Sequence, residues 1–366
     1  MTSRKFNLLL SLFVVLFFLF SLTAGCSSQK VIQEKEENQL QTEADARENL
    51  PAQSSEEVKT GGEPKTVDPT RCPLCGRTVS RHEIFKRPIA VMIENHPKAR
   101  PQSGLDEADI VYEMPVEGGI SRFMAIYLHS DKSRIGPVRS SRPYYLDKLL
   151  EYEGIYVYFG GSPQAWEDIA RLKIEGINGI YDGLTFWRDE SRKKPHNAYT
   201  SIKKIKRTSE MKGYDRDVNF KHFKFCEGEE VPEGEKAETV ILKFSPFKYT
   251  VKYEYNRHKG GYLRYMDNKP HIDRETHKQL SAENIIIQKA KTMVIPGDDA
   301  GRLNIQLVGK GEGYYISKGN CIKITWEKKS RKGYTYFYDT KNKEITLNPG
   351  TTWIQIVPYN AEVQIQ

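Results

Sequence analysis

The stretch PIAVMIENHPKARPQSGLDEADIVYEMPV (residues 88–116) holds two short apolar runs, 88–95 and 108–116, parted by a segment rich in proline and polar residues. Apolar runs of this length bounded by turn residues predict buried strands. SRFMAIYLH (121–129) and GIYVYFG (154–160) repeat the pattern. A helix is predicted next, in GSPQAWEDIARLK (161–173). Ser162 is placed to cap it, Pro163 suits its first turn, and Glu167 and Asp168 fall early in it. An acidic break, CEGEEVPEGEKAE (226–238), divides this mixed half from the second half of the chain. Beyond it, TVILKFS, YTVKYEYN, GYLRYMD, NIIIQKAKTMVI, YYISKGNCIKITWEK, YTYFYD and TWIQIVP read as strands, several alternating with period two. The expectation is a mixed α/β (α+β) chain with an α/β part over 71–225 and a mostly β part over 226–366.

The N-terminus addresses the chain. Arg4 and Lys5 precede the apolar run LLLSLFVVLFFLFSL, which ends in TAGC at Cys26. Charge, apolar core and small residues before a cleavage point are the parts of an export signal. Residues 1–25 are read as a lipoprotein signal peptide and Cys26 as the lipidated residue. The alternative is an uncleaved anchor, since the run approaches the length that spans a bilayer. Two acyl chains on Cys26 suffice for stable anchoring. Residues 26–70 are rich in Glu, Gln, Ser and Thr and contain no aromatic residue, so they read as a disordered tether. That tether is acidic, and the formal net charge of +8 therefore understates the basicity of the remainder. A basic body outside a membrane suits lipid headgroups, phosphate polymers or peptidoglycan carboxylates, and the compartment argues against nucleic acid.

No nucleophile motif is present: there is no G-x-S-x-G elbow, H-E-x-x-H or Walker sequence. CPLCG (72–76) resembles half a zinc knuckle, but no second knuckle completes four ligands. Cys226 and Cys321 stand singly. In an oxidising compartment disulfides compete with metal, so the cysteines read as structural, with their pairing open, and no metal or cofactor is assigned.

Polar clusters collect instead at predicted strand ends and loops of the first half, where sites tend to lie. Glu94 and Asn95 end one strand. Glu117 precedes two glycines, and Arg122 follows just inside the next strand. SRIGPVRSSRPYY (133–145) packs Arg134, Arg139 and Arg142 into nine positions, and KKPHNAYTS (193–201) carries His196 and Asn197. Such crowded arginines need anions among them. These are carboxylates of the fold, such as Glu94, Glu113 and Glu117, or a ligand whose phosphate or carboxylate matches the guanidinium fork. Gly160, Gly161 and Ser162, a glycine turn opening a helix, are a second candidate for holding an anion.

PIAVMIENHPKARPQSGLDEADIVYE, RFMAIY, RIGPVRSSRPYY, YFGGSP, KKPHNAYTS and ITLNPGTTWIQIVP resemble the YerB-like bacterial lipoproteins, whose domain is of unknown function. The resemblance spans nearly all of 85–360. It implies a layered sandwich of two sheets and a helical layer and an envelope location, but no activity and no catalytic residues. Members of that family usually carry a PLTG-like turn where this chain has CPLCG, so the resemblance gives these cysteines no family-wide role. Residues 108–170 are also loosely similar to LytR-CpsA-Psr enzymes, which transfer glycopolymers from polyprenyl pyrophosphate carriers.

Two functions stand as expectations. The first is a membrane-anchored extracytoplasmic binding or scaffolding lipoprotein for an anionic envelope polymer, a lipid phosphate or a partner protein. The second is a phosphoryl or glycopolymer transferase, in which Arg139 and Arg142 neutralise phosphate charge and Glu94 or Asp109 holds a metal ion. The absence of a nucleophile motif favours the first.

Overall fold

The computed structural model describes residues 69–366, apart from 82, 83, 222 and 245–248. The signal segment, Cys26 and almost all of the tether lie outside the described residues. Among the described residues no helix is long and apolar enough to cross a membrane.

The described residues open with a small hairpin, β1 (Pro69–Arg71) and β2 (Thr78–Ser80). Next come β3 (Ile89–Glu94), β4 (Ile110–Pro115) and β5 (Ser121–Tyr127), then α1 (Pro143–Leu149), β6 (Ile155–Tyr158), α2 (Pro163–Arg171), β7 (Gly176–Asn178) and α3 (Ile202–Met211). The second half supplies β8 (Thr239–Lys243), β9 (Val251–Asn256), β10 (Gly261–Met266), β11 (Asn284–Ala290), β12 (Gly309–Ser317), β13 (Asn320–Lys328), β14 (Thr352–Pro358) and β15 (Glu362–Ile365). The three strand runs of 88–129, the helix after Ser162 and the β-rich second half are as expected. Ser162 caps α2 by accepting from the Ala165 amide at 3.3 Å. α3, which is not among the predicted elements, carries the same kind of signal: Ser201 accepts from the Lys204 amide at 3.3 Å, and Ile202 and Ile205 are buried on one face. α1 has no side-chain cap.

Eleven strands form one main sheet. Its order is Glu235–Lys236, β13, β12, β11, β14, β4, β5, β3, β6, β7, with Tyr336–Tyr338 also paired to β13. The division at 225/226 runs through this sheet. β14 of the second half pairs in parallel with β4 of the first, Thr352–Gln355 against Ile110–Glu113. A second sheet of six strands, built around β10, β9, β8 and β15, covers one face.

Period-two alternation sorts the core. Ile89, Val91 and Ile93 of β3 face the second sheet with Val111, Phe123, Trp353, Val240 and Tyr253. Ala90 and Met92 face the other way with Tyr112, Met124, Ile354 and the α1 residues Tyr145, Leu146 and Leu149. Both faces of the central strands are covered, which is why β3, β4 and β5 are apolar throughout rather than alternating. The architecture is therefore mixed α+β, a sheet–sheet–helix sandwich.

Candidate functional site

The site begins where β3 and β6 part. They pair only as far as Val91 and Val157. Beyond that point Val138–Ser141 slips between them. The Arg139 amide donates to Met92 O (2.9 Å), while the Phe159 amide donates to Arg139 O (3.0 Å) and the Ser141 amide to Gly160 O (2.9 Å). This insertion brings the arginine segment against the glycine turn at the carboxyl ends of two parallel strands, a usual place for ligands in α/β sheets. Gly160 has φ +76°, a conformation that favours glycine, and it lets the chain fold back beside Ser140.

The predicted residues divide into those gathered here and those used elsewhere. Arg139 Nε stands 3.2 Å from Glu94 Oε1, yet is buried without an aligned hydrogen bond. The other Glu94 oxygen meets His196 Nδ1 at 3.0 Å, and His196 stacks on His96 with ring centroids 4.6 Å apart. Arg142 grips Glu117 with two hydrogen bonds, Nε to Oε2 at 3.0 Å and Nη2 to Oε1. Burial pushes the Glu117 carboxyl up, but the Arg142 hydrogen bond and charge leave it below the usual carboxylate range. Arg122 is buried and donates to Ser140 O at 2.6 Å; burial and then the nearby Arg142 charge lower its pKa.

Arg134 sits apart. It pairs with Asp189 (2.9 Å) and Glu275 (3.5 Å) and lies over the Tyr199 ring, so the nine-residue arginine cluster is split between two places. Asn95 is fully buried, donating to Ser121 Oγ at 2.8 Å and accepting from Arg100 and Gln102. Asn197 braces its loop by donating to Asp189 O and Arg192 O. Both are positioning groups. The Gly160 amide donates to Asn178 Oδ1 at 3.0 Å and Ser162 is engaged as the cap of α2, so the fold itself uses these groups. The glycine turn shapes the site, and the arginine side chains carry its charge.

Arg188 was missed. Its exposed guanidinium stacks 4.4 Å over Phe159 and donates to Asn197 Oδ1 at 2.9 Å. Phe159 ties it to the arginine segment, its amide donating to Arg139 O and its carbonyl accepting from Ser140 Oγ, both at 3.0 Å. Burial and then the Arg139 charge lower the Arg188 pKa. Among the described residues Arg188 meets no carboxylate within ion-pair distance. The only hint in the sequence was its position after Phe186 and Trp187. Arg122, Arg139 and Arg142 around Ser140, with Arg188 over the adjoining Phe159, thus form one run, served by two carboxylates, Glu94 and Glu117.

Asp109 is not part of this run. Glu94 is level with Arg122 and Met114, whereas Asp109 precedes β4 at the opposite end of the same strand set. The expectation that either acid could hold a metal beside the arginines is corrected for Asp109. Its neighbours are Cys72, Cys75 and His129.

The fold and this strand-end surface define a two-part α+β sandwich with a clustered arginine face. The chain belongs to the DUF3048 family, described as a protein of unknown function: its N-terminal domain matches residues 74–215 and its C-terminal domain residues 240–354. It is 36% identical to YerB of Bacillus subtilis (strain 168), a protein named as a lipoprotein, over 81% of this chain and 88% of that protein. The crystal structure of YerB from Bacillus subtilis superposes with a TM-score of 0.73 at 34% identity, covering 81% of this chain and 99% of that one.

Proposed function

We propose that this is a membrane-anchored lipoprotein, held through Cys26 on the extracytoplasmic face, whose folded part binds an anionic envelope ligand at the Arg122–Arg139–Arg142–Arg188 surface. One observation carries the binding reading: the guanidinium groups of Arg122, Arg139 and Arg142 around Ser140, and that of Arg188 over the adjoining Phe159, are served by only two carboxylates. An unbalanced, partly exposed cation cluster beside low-dielectric walls attracts phosphate and carboxylate. The anchoring reading rests on the TAGC sequence at Cys26 and on the similarity to a protein named as a lipoprotein.

The binding test uses the full chain in detergent and poly(glycerol phosphate), measured by calorimetry at two salt concentrations. Arg188→Ala is expected to weaken binding roughly tenfold or more, charged hydrogen bonds being worth about 1.5–3 kcal/mol each. Its melting temperature should fall only slightly, because the losses are one hydrogen bond to Asn197 and the stacking on Phe159, and no buried acid is left unpaired. Absence of binding by the unaltered chain, or binding indifferent to Arg188→Ala, overturns the reading. For the anchor, Cys26→Ala is expected to move the protein from the membrane pellet to the soluble fraction and to abolish palmitate labelling. Continued labelling would place the lipid elsewhere.

A further inference from the structure

At the opposite end of β4 from the arginine surface, four potential metal ligands converge. The CPLCG segment folds as a tight turn between β1 and β2. The Gly76 amide donates to Cys72 O (2.8 Å), the Cys72 amide to Arg77 O (2.9 Å), and Gly76 has φ +66°. This is the local geometry that points two sulfurs to one side, and both cysteines are fully buried. Asp109 immediately precedes β4, and His129 follows β5. The β4–β5 ladder places these two residues together although twenty positions separate them.

The acceptor and donor atoms are aimed at a common point. Asp109 Oδ2 accepts from the Leu128 amide at 2.7 Å, which orients the carboxylate and turns Oδ1 toward the cluster. Oδ1 lies 2.8 Å from His129 Nε2 and 3.9 Å from Cys72 Sγ. The same Nε2 lies 3.2 Å from Cys75 Sγ. All four ligand atoms fall within 4.8 Å of one another. A zinc ion with bonds of about 2.3 Å to sulfur and about 2.0–2.1 Å to nitrogen or oxygen sets its ligand atoms roughly 3.3–3.8 Å apart. The observed spread reaches that arrangement with small side-chain movements. A single N–H on Nε2 can serve Asp109 or Cys75 fully, but not both, whereas a central cation satisfies every group at once.

We infer that Cys72, Cys75, Asp109 and His129 form a structural zinc site. Two thiolates, an imidazole and a carboxylate make a four-ligand set suited to a borderline-soft d¹⁰ ion. Four protein ligands fill a tetrahedral shell and leave no open position of the kind catalysis needs, and all but His129 are buried. Binding displaces one proton from each thiol to solvent, and the imidazole coordinates through Nε2 with its proton on Nδ1. The site fastens the β1–β2 hairpin, the first described element, to the strand ends of the main sheet. The Gly350 amide donates to Cys75 O at 2.7 Å, so the clip also holds the turn leading into β14. Held as thiolate ligands, the two cysteines are shielded from oxidation.

The test is elemental analysis of the full chain purified in detergent without chelator, followed by replacement of zinc with cobalt(II). One zinc per chain is expected, and cobalt should give the thiolate charge-transfer band and the intense visible bands of tetrahedral coordination. Cys72→Ser and His129→Gln should each lose the metal and weaken or abolish that spectrum. The unaltered chain's cobalt spectrum stands even if a variant fails to fold. Chelation should expose the β1–β2 hairpin to protease. Metal that persists in both variants, or no metal together with a Cys72–Cys75 disulfide in unreduced protein, overturns the site.

Discussion

Arg264→Met is expected to destabilise the protein by about 3–5 kcal/mol, the usual result of leaving a buried ion without its partner. Arg264 on β10 and Glu113 on β4 are both fully buried, with Nη2 to Oε2 at 2.7 Å. The guanidinium lies 4.4 Å over Trp353 and also donates to His271 Nδ1 and the Tyr253 hydroxyl. Glu113 in turn accepts from Ser121 and Tyr249, and Ser121 accepts from Asn95. The network therefore ties the second sheet to the main sheet and braces the strand end that carries Glu94. The denaturant midpoint is the measurement, and Glu113→Gln added to Arg264→Met should recover part of the loss by removing the orphaned charge. A loss under about 1 kcal/mol would show that water or rearrangement compensates the carboxylate.

Glu151→Gln should have an effect of similar size. Its carboxylate lies between two fully buried ammonium groups, Lys148 (3.2 Å) and Lys328 (2.9 Å), and accepts from the Thr335 amide and hydroxyl. Removing it leaves two cations without a carboxylate, about 3–5 kcal/mol at neutral pH. Burial pulls Lys148 down to about 8, against the pull of Glu151. Between that value and the ordinary lysine range the unfolded chain binds more protons than the folded one, so this lysine makes stability rise with pH there. Burial raises the Glu151 carboxyl, but Lys148 and Lys328 overcome that and hold it low. Its contribution is complete above the ordinary carboxylate range and is lost as pH falls through the lowered value. In Glu151→Gln the lysines lose their counter-charge, so part of the loss should return in alkaline melts. A variant as stable as the parent at neutral pH would contradict the triad's role.

Much of the fold was legible because it rests on local signals. The apolar runs at 88–95, 108–116 and 121–129 became β3, β4 and β5, and Ser162-Pro163 opened α2, since burial and capping act over a few residues. α1 was not legible: Arg142 caps it without a side-chain hydrogen bond, and its buried Tyr144, Tyr145 and Lys148 make no amphipathic pattern. The candidate site was legible in part. Arg122, Arg139, Arg142, Glu94, Glu117 and His196 do meet, but Arg134 turns to Asp189, and Arg188 enters from a loop with no motif of its own.

By itself the sequence determined the residue classes: an export-like N-terminus, an arginine-dense segment, half a zinc knuckle and a β-rich second half. Only the tertiary structure decided what each was joined to. The pairing of β14 with β4 links residues more than 200 positions apart, and the sequence carries no register for a parallel ladder between distant strands. The same ladders decided which arginines share carboxylates and which do not. They also set Asp109 and His129 beside Cys72 and Cys75, because strand ends separated along the chain become neighbours only when the sheet closes.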